Sequence, residues 1–274
     1  MNLVKSLNWI EYLTGKKSLL YLLFILLLTF SCTQSNDENA IPDSSHQMVL
    51  VLTDASRDTT GSLYYFERVS KDSGWILSSQ QIPVVLGRSG LGWGKGLHTP
   101  QNTFDFPIKE EGDGRSPAGV FSLSAVFGYK SSDEMSHLKM PYIHITEMIE
   151  CIDDPDSKYY NRIIARDEVS REDSVDWQSS EKMRFADIYY ELGVVVDHNS
   201  DPIESGAGSC IFLHNWIDEN ETMAGCTAMD PPNMQEIAEW LDAAKNPVLV
   251  QLTKQLYFEL LEQWQLPKLN LGDN

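Results

Sequence analysis

Positive charge is what this chain has least of. Its 274 residues carry 21 lysines and arginines against 40 aspartates and glutamates, a formal charge of −19. Removing residues 1–31, which hold three lysines and one glutamate, deepens the charge to −21. Nucleic acids and other polyphosphates need clustered Lys and Arg, so this body excludes them as partners. Internal repeats and low-complexity tracts are lacking, which sets repeat architectures aside. Cysteine is scarce too: Cys32, Cys151, Cys210 and Cys226.

The first of these cysteines belongs to a targeting segment. Lys5, Lys16 and Lys17 precede an apolar run from Ser18 to Ser31, which is shorter than the ~20 residues of a membrane span. Cys32 follows a small residue at the end of that run, and the chain then turns polar. This resembles a bacterial lipobox. It implies a lipoprotein-type signal peptide over 1–31, diacylation of Cys32, and an exported protein anchored to a membrane by lipid. Residues 32–46 read as a polar tether, 47–266 as one domain of ordinary size, and 267–274 as a tail. With Cys32 acylated, three cysteines remain, so at least one thiol stays unpaired. A Cys151–Cys210 pair would leave Cys226 free, but the sequence alone leaves that pairing open.

The domain is expected to be mostly β. Strand-like runs cover 48–53, 62–69, 75–77, 82–86, 120–126, 142–146, 193–197, 211–213 and 248–252, with a hairpin across Asp58–Gly61. Asp230 reads as an N-cap and Pro231 as the first residue of a helix whose apolar face is Met234, Ile237, Ala238 and Leu241. A second helix fits Lys254–Trp264. Asp153–Asp187 is acidic and aromatic with little periodicity, and is expected to be an irregular, lid-like insertion.

Two cofactor readings fail on spacing. The glycine-rich stretch Gly87–Gly96 has Ser89 where a P-loop needs glycine and Gly96 where it needs Ser or Thr. Cys210, His214 and Cys226 offer three zinc ligands but not a fourth, and Cys210 and His214 stand roughly 13 Å apart along a strand. No metal and no cofactor is expected. His98, His137, His144 and His198 lie near no nucleophile in sequence and read as surface or hydrogen-bonded structural histidines.

What remains is the segment Gly206-Ala-Gly-Ser-Cys-Ile-Phe-Leu-His214, followed by Ala224-Gly-Cys226. A thiol needs a neighbouring base to react near neutrality. Here a strand ending in His214 is joined to Cys226 by a short connection. Gly225 frees the backbone for close approach to a substrate, and amides ahead of the Pro231 helix are placed to stabilise an oxyanion. Papain-like peptidases place Cys before His; here His comes first.

Together with Glu111-Gly-Asp-Gly-Arg-Ser-Pro-Ala-Gly-Val-Phe121, Cys151–Ser157, Tyr160-Asn161 and Ser180–Met183, these residues resemble the L,D-transpeptidase (YkuD-type) catalytic domain. The resembling branch has an active-site segment like GSxIFLH…AGC. The resemblance covers about 50–266 and implies a β-sandwich with one helix after the cysteine. It also implies action on peptidoglycan stem peptides. Cys226 would attack the carbonyl of the third stem residue, commonly diaminopimelate, and release the terminal D-alanine. It would then pass the acyl group to an amine. His214 would be general base and then acid, Gly225 part of the oxyanion region, and an Ala224 or Gly225 carbonyl the group that orients the imidazole. Many members carry Arg two residues after the cysteine, where this chain has Ala228, so Arg115, Arg162 and Arg184 are the candidates for binding substrate. The acidic turn Asp218–Glu221 is a candidate for attracting a diamino acid's ammonium group. Two alternatives share the segment: a carboxypeptidase or endopeptidase with water as acceptor, and a non-catalytic wall-binding lipoprotein.

Overall fold

The β-branched and aromatic runs fold where their alternation put them. In the computed structural model, residues 39–99, 105–172, 175–185 and 187–270 are described. The expected signal peptide and the expected lipidation site, Cys32, lie outside them. β1 (Gln47–Thr53) and β2 (Thr60–Glu67) make the expected hairpin, and β2 also pairs with β3 (Ile76–Leu77) and β4 (Ile82–Val85). β5 (Leu91–Trp93) and β7 (Tyr142–His144) flank the long β6 (Ser116–Gly128). A separate three-stranded sheet holds β8 (Ile149–Cys151) between β9 (Ile163–Ala165) and β10 (Glu181–Lys182). β11 (Leu192–Val196), β12 (Phe212–Asn215), β13 (Thr227–Met229) and β14 (Val248–Thr253) complete the main sheet.

The main sheet runs β1-β14-β6-β11-β12-β13-β4-β2, and β2 pairs back onto β1, so the hydrogen-bonded ladder closes on itself. Closure removes free edges and encloses a core around Leu50, Phe66, Phe121, Leu213 and Val250. The domain is therefore mostly β, a sandwich curved into a closed circuit.

Two of the helices sit where the sequence placed them, and a third was not expected. α1 (Arg166–Glu172) follows β9. α2 (Pro231–Trp240) starts with the Asp230 carboxylate accepting from the Asn233 N–H at 3.2 Å, and buries Met234, Ile237 and Ala238. α3 (Lys254–Leu260) buries Leu256 and Leu260, with Thr253 as cap. Among the described residues, no helix is long and apolar enough to cross a membrane.

Packing extends ahead of residue 47: Ile41 (1 % exposed) lies in the core and Arg68 Nε donates to the Ser45 carbonyl at 2.6 Å. The insertion over 153–187 is largely irregular, as expected, with three short elements inside it: β9, α1 and β10. Several of its residues bond to the buried Glu150 of β8 just ahead of it. Glu150 Oε2 accepts from Trp177 Nε1 at 3.2 Å and Ser180 Oγ at 2.9 Å, while Arg166 lies 3.5 Å from Oε1. A lone short strand would not survive in water; this buried carboxylate gathers three segments around itself.

The small sheet is also tied covalently. Cys151 of β8 forms a disulfide with Cys210, across 59 residues of sequence, and among the described residues Cys226 is the free cysteine. Closing a loop of that length restricts the unfolded chain by about 4 kcal/mol. Replacing both Cys151 and Cys210 by alanine is expected to lower the melting temperature by roughly 10 °C in scanning calorimetry. An unchanged melting temperature would show that the link does not restrain the unfolded chain.

Candidate active site

β12 and β13 are parallel neighbours with Leu213 opposite Thr227 and His214 opposite Ala228. One step back along that register, Cys226 stands beside Phe212. Alternation then points Cys226 and His214 to the same side of the sheet, with Cα atoms roughly 8 Å apart by strand geometry. Both line one cavity of about 670 Å³. Cys226 is 7 % exposed and His214 4 %.

Backbone clamps fix the thiol. Its sulfur accepts from the Phe212 N–H at 3.3 Å and faces the Cys210 carbonyl at 3.5 Å. Ser116 Oγ donates to the Cys226 carbonyl at 2.9 Å and accepts from the Gly87 N–H at 2.9 Å. The preceding loop is pinned as well, with Met223 N donating to Leu86 O and Arg88 N donating to Met223 O. The glycine-rich loop is thus a brace for the nucleophile. Position 87 needs glycine because a Cβ there would lie 2.4 Å from the Gly114 carbonyl oxygen.

The imidazole is oriented by its own neighbour. His214 Nδ1 lies 2.7 Å from the Asn215 carbonyl. A carbonyl only accepts, so Nδ1 carries the proton and Nε2 keeps its lone pair. This corrects the expectation of an Ala224 or Gly225 carbonyl. Among the described residues the sulfur's partners are the Phe212 N–H, the Cys210 carbonyl and the Tyr190 hydroxyl, with no direct bond to His214. Burial pushes His214 down to about 4, against the Asn215 carbonyl and Asp187. Burial, then the Glu181 charge, pushes the Cys226 thiol well up, against the Phe212 N–H, Tyr190 and Lys109. The resting pair is therefore neutral thiol and neutral imidazole, with a proton still to move once substrate excludes water.

The motif residues around the pair hold its walls. Glu111 Oε2 accepts from Tyr160 Oη at 2.5 Å and Ser209 Oγ at 2.7 Å. Asn161 Oδ1 accepts from the Cys210 N–H at 3.0 Å, and its amide donates to the His198 and Asn199 carbonyls. Gly225 is in the cavity wall, where a Cβ would meet Ile211 at 3.2 Å. Cys210 is spent in the disulfide, which removes it from any metal-ligand set.

The three arginine candidates are elsewhere. Arg115 donates to the Ser89 and Leu91 carbonyls at 2.7 and 3.0 Å, Arg184 stacks 4.0 Å over Tyr129, and Arg162 is exposed; none lines the cavity. The cations that do are Lys109 and Arg88. Lys109 is buried and bonded to Asp113 at 2.7 Å. Arg88 is exposed, and its guanidinium makes a long 3.4 Å contact with the Gly112 carbonyl. Its signal in the sequence was Gly114, where a side chain would strike Arg88 at 2.9 Å. Of the acidic turn, Glu221 reaches the cavity and accepts from Tyr189 Oη at 2.8 Å, whereas Asp218 closes the turn onto Asn220.

The remaining histidines are structural or at the surface. His98 lies between the Val120 N–H at 3.0 Å and the Gly94 carbonyl at 3.0 Å, and His198 faces the Ala207 carbonyl at 3.0 Å. His137 and His144 are exposed.

The profile of the L,D-transpeptidase catalytic domain (YkuD) family matches residues 58–250. Among solved structures, the chain is similar to the helical cell shape determining protein Pgp2 from Campylobacter jejuni, at 15 % identity and a TM-score of 0.38. That match covers 78 % of this chain and 51 % of Pgp2, so this chain spans about half of that protein's length. No curated protein matches the chain.

Acid should destabilise the domain through these buried rings. His214 and His198 are both pushed down to about 4 by burial, so between pH 6.5 and 4 the unfolded chain binds more protons than the folded one. Stability is therefore intact above pH 6.5 and lost as pH falls, by up to about 3 kcal/mol per ring. Urea denaturation at pH 7 and 4.5 should show that loss, and His214→Gln should blunt it by about 2 kcal/mol.

Proposed function

We propose that this chain, which belongs to the YkuD family of L,D-transpeptidase catalytic domains, is an exported, lipid-anchored enzyme. On this reading it acts on peptidoglycan stem peptides through a Cys226 acyl-enzyme. The observation that carries the reading is a free, clamped cysteine sharing one cavity with an oriented, unprotonated imidazole nitrogen.

Cys226 attacks the carbonyl of the third stem residue as its proton passes to the His214 side of the cavity. The amides around Gly225 face the developing oxyanion. The protonated imidazole then hands its proton to the leaving D-alanine amine, and an acceptor amine resolves the thioester. Arg88 takes the terminal carboxylate, as the exposed guanidinium of the cavity wall. Glu111, Asp153, Asp187 and Glu221 line the same cavity and complement an ammonium group on the stem residue. The Cys32 lipid would hold the domain at a membrane facing the wall.

Incubation of the purified protein with stem tetrapeptide and muropeptides tests this. Wild type is expected to form a thioester adduct and crosslinked products, and Cys226→Ala to lose turnover at least 1000-fold. Arg88→Ala should raise KM about ten-fold, the worth of one charge-assisted hydrogen bond. Trimmed products alone would make water the acceptor, and turnover retained by Cys226→Ala would overturn the reading.

A further inference from the structure

Tyr190 stands between the nucleophile and a carboxylate that the reaction above does not use. It is 3 % exposed. Its ring is held edge-on by Phe127, Phe212 and His214, with centroids at 5.6, 5.6 and 5.1 Å. A ring so packed has a fixed hydroxyl. That hydroxyl donates to Glu181 Oε1 at 2.5 Å and also faces the Cys226 sulfur. A phenol has one proton, and two acceptors converge on it.

We propose that Glu181 is a positioning residue for Cys226, acting through Tyr190. Ionised Glu181 claims the hydroxyl proton, and the sulfur then faces only the phenol's lone pairs, which repel a thiolate. Neutral Glu181 donates its own O–H to the Tyr190 oxygen, and the phenol proton turns to the sulfur as a hydrogen bond to the thiolate. No proton leaves Tyr190 in either arrangement. The cavity thus holds one negative charge, on the carboxylate or on the sulfur, because two anions flanking one buried phenol repel each other.

Other charges facing the trio come from several elements. Asp153 and Glu111 face Glu181, Lys109 faces Cys226, and Asp187 faces His214. Burial, opposed by the Tyr190 hydroxyl and reinforced by Asp153 and Glu111, pushes Glu181 up to about 7. Its charge therefore changes in the range where the enzyme would work. Glu181 heads β10 and pairs in register with Cys151, the disulfide-bonded cysteine of β8.

The proposal rests on Cys226 being the nucleophile, and thiol alkylation tests it separately from turnover. Oxidised full-length protein is treated with iodoacetamide from pH 5 to 10, and the Cys226 peptide is quantified by mass spectrometry. Glu181→Gln imitates the neutral acid, since its amide donates to the Tyr190 oxygen. It is expected to raise the alkylation rate at pH 7.5 about ten-fold, shifting the profile by about one pH unit. In a Tyr190→Phe background the same substitution should lose most of that effect. An unshifted Glu181→Gln profile would overturn the proposal, as would a full effect persisting without the phenol. A shifted profile in a protein without peptide turnover would keep the proposal and sink the enzymatic reading instead.

Discussion

The parallel pairing of β12 with β13 is the constraint on which the site depends. It fixes Cys226 beside Phe212, so that the Phe212 amide points at the sulfur, and sets His214 one strand over on the same face. Parallel neighbours ordinarily need a long crossover. Here a single loop over 216–226 joins them, and it is held down by Leu86, Gly87 and Arg88 from the turn after β4. The closed circuit of the sheet makes this possible, because β4 follows β13 in the ladder and brings its own loop alongside. Fold and chemistry meet at one register.

Around that register the protein uses buried and half-buried polar groups, each with more than one partner. Glu150 organises the small sheet, Glu111 fastens Tyr160 to Ser209, and Asn161 ties the segment before β12 to His198 and Asn199. Each would destabilise the fold if left unpaired. Glu111 and Asn161 lie in stretches that resemble the family, so those motifs hold the walls of the site as much as they perform its chemistry. The disulfide has a similar place: Cys210 is covalently fixed while its carbonyl faces the thiol.

Much of this was legible in the chain. Alternation located the strands, Asp230-Pro231 announced α2, and Gly225-Cys226 after a strand ending in His214 put the candidate pair in one place. The rest was hidden for physical reasons. The Asn215 carbonyl that orients His214 is backbone, which every residue has, so no side chain signals it. Arg88 was obscured because glycines beside it suggested a phosphate loop, whereas Gly87 and Gly114 make room for backbone and for Arg88 itself. The insertion lacked periodicity because its strands are two or three residues long and are ordered by Glu150 rather than by an apolar face. Ile41 lay in a stretch whose polar neighbours disguised it as tether.

The cavity's charges lie at two depths. Arg88 is at the surface and Glu221 near it, while the Cys226 sulfur and the Tyr190 ring are buried among aromatic side chains. Mobile ions screen the first group within about 8 Å at 0.15 M and scarcely reach the second. Ionic strength is therefore a dial for one layer alone. Added salt should loosen the grip on a charged peptide and leave the electrostatics beside the sulfur nearly as they were.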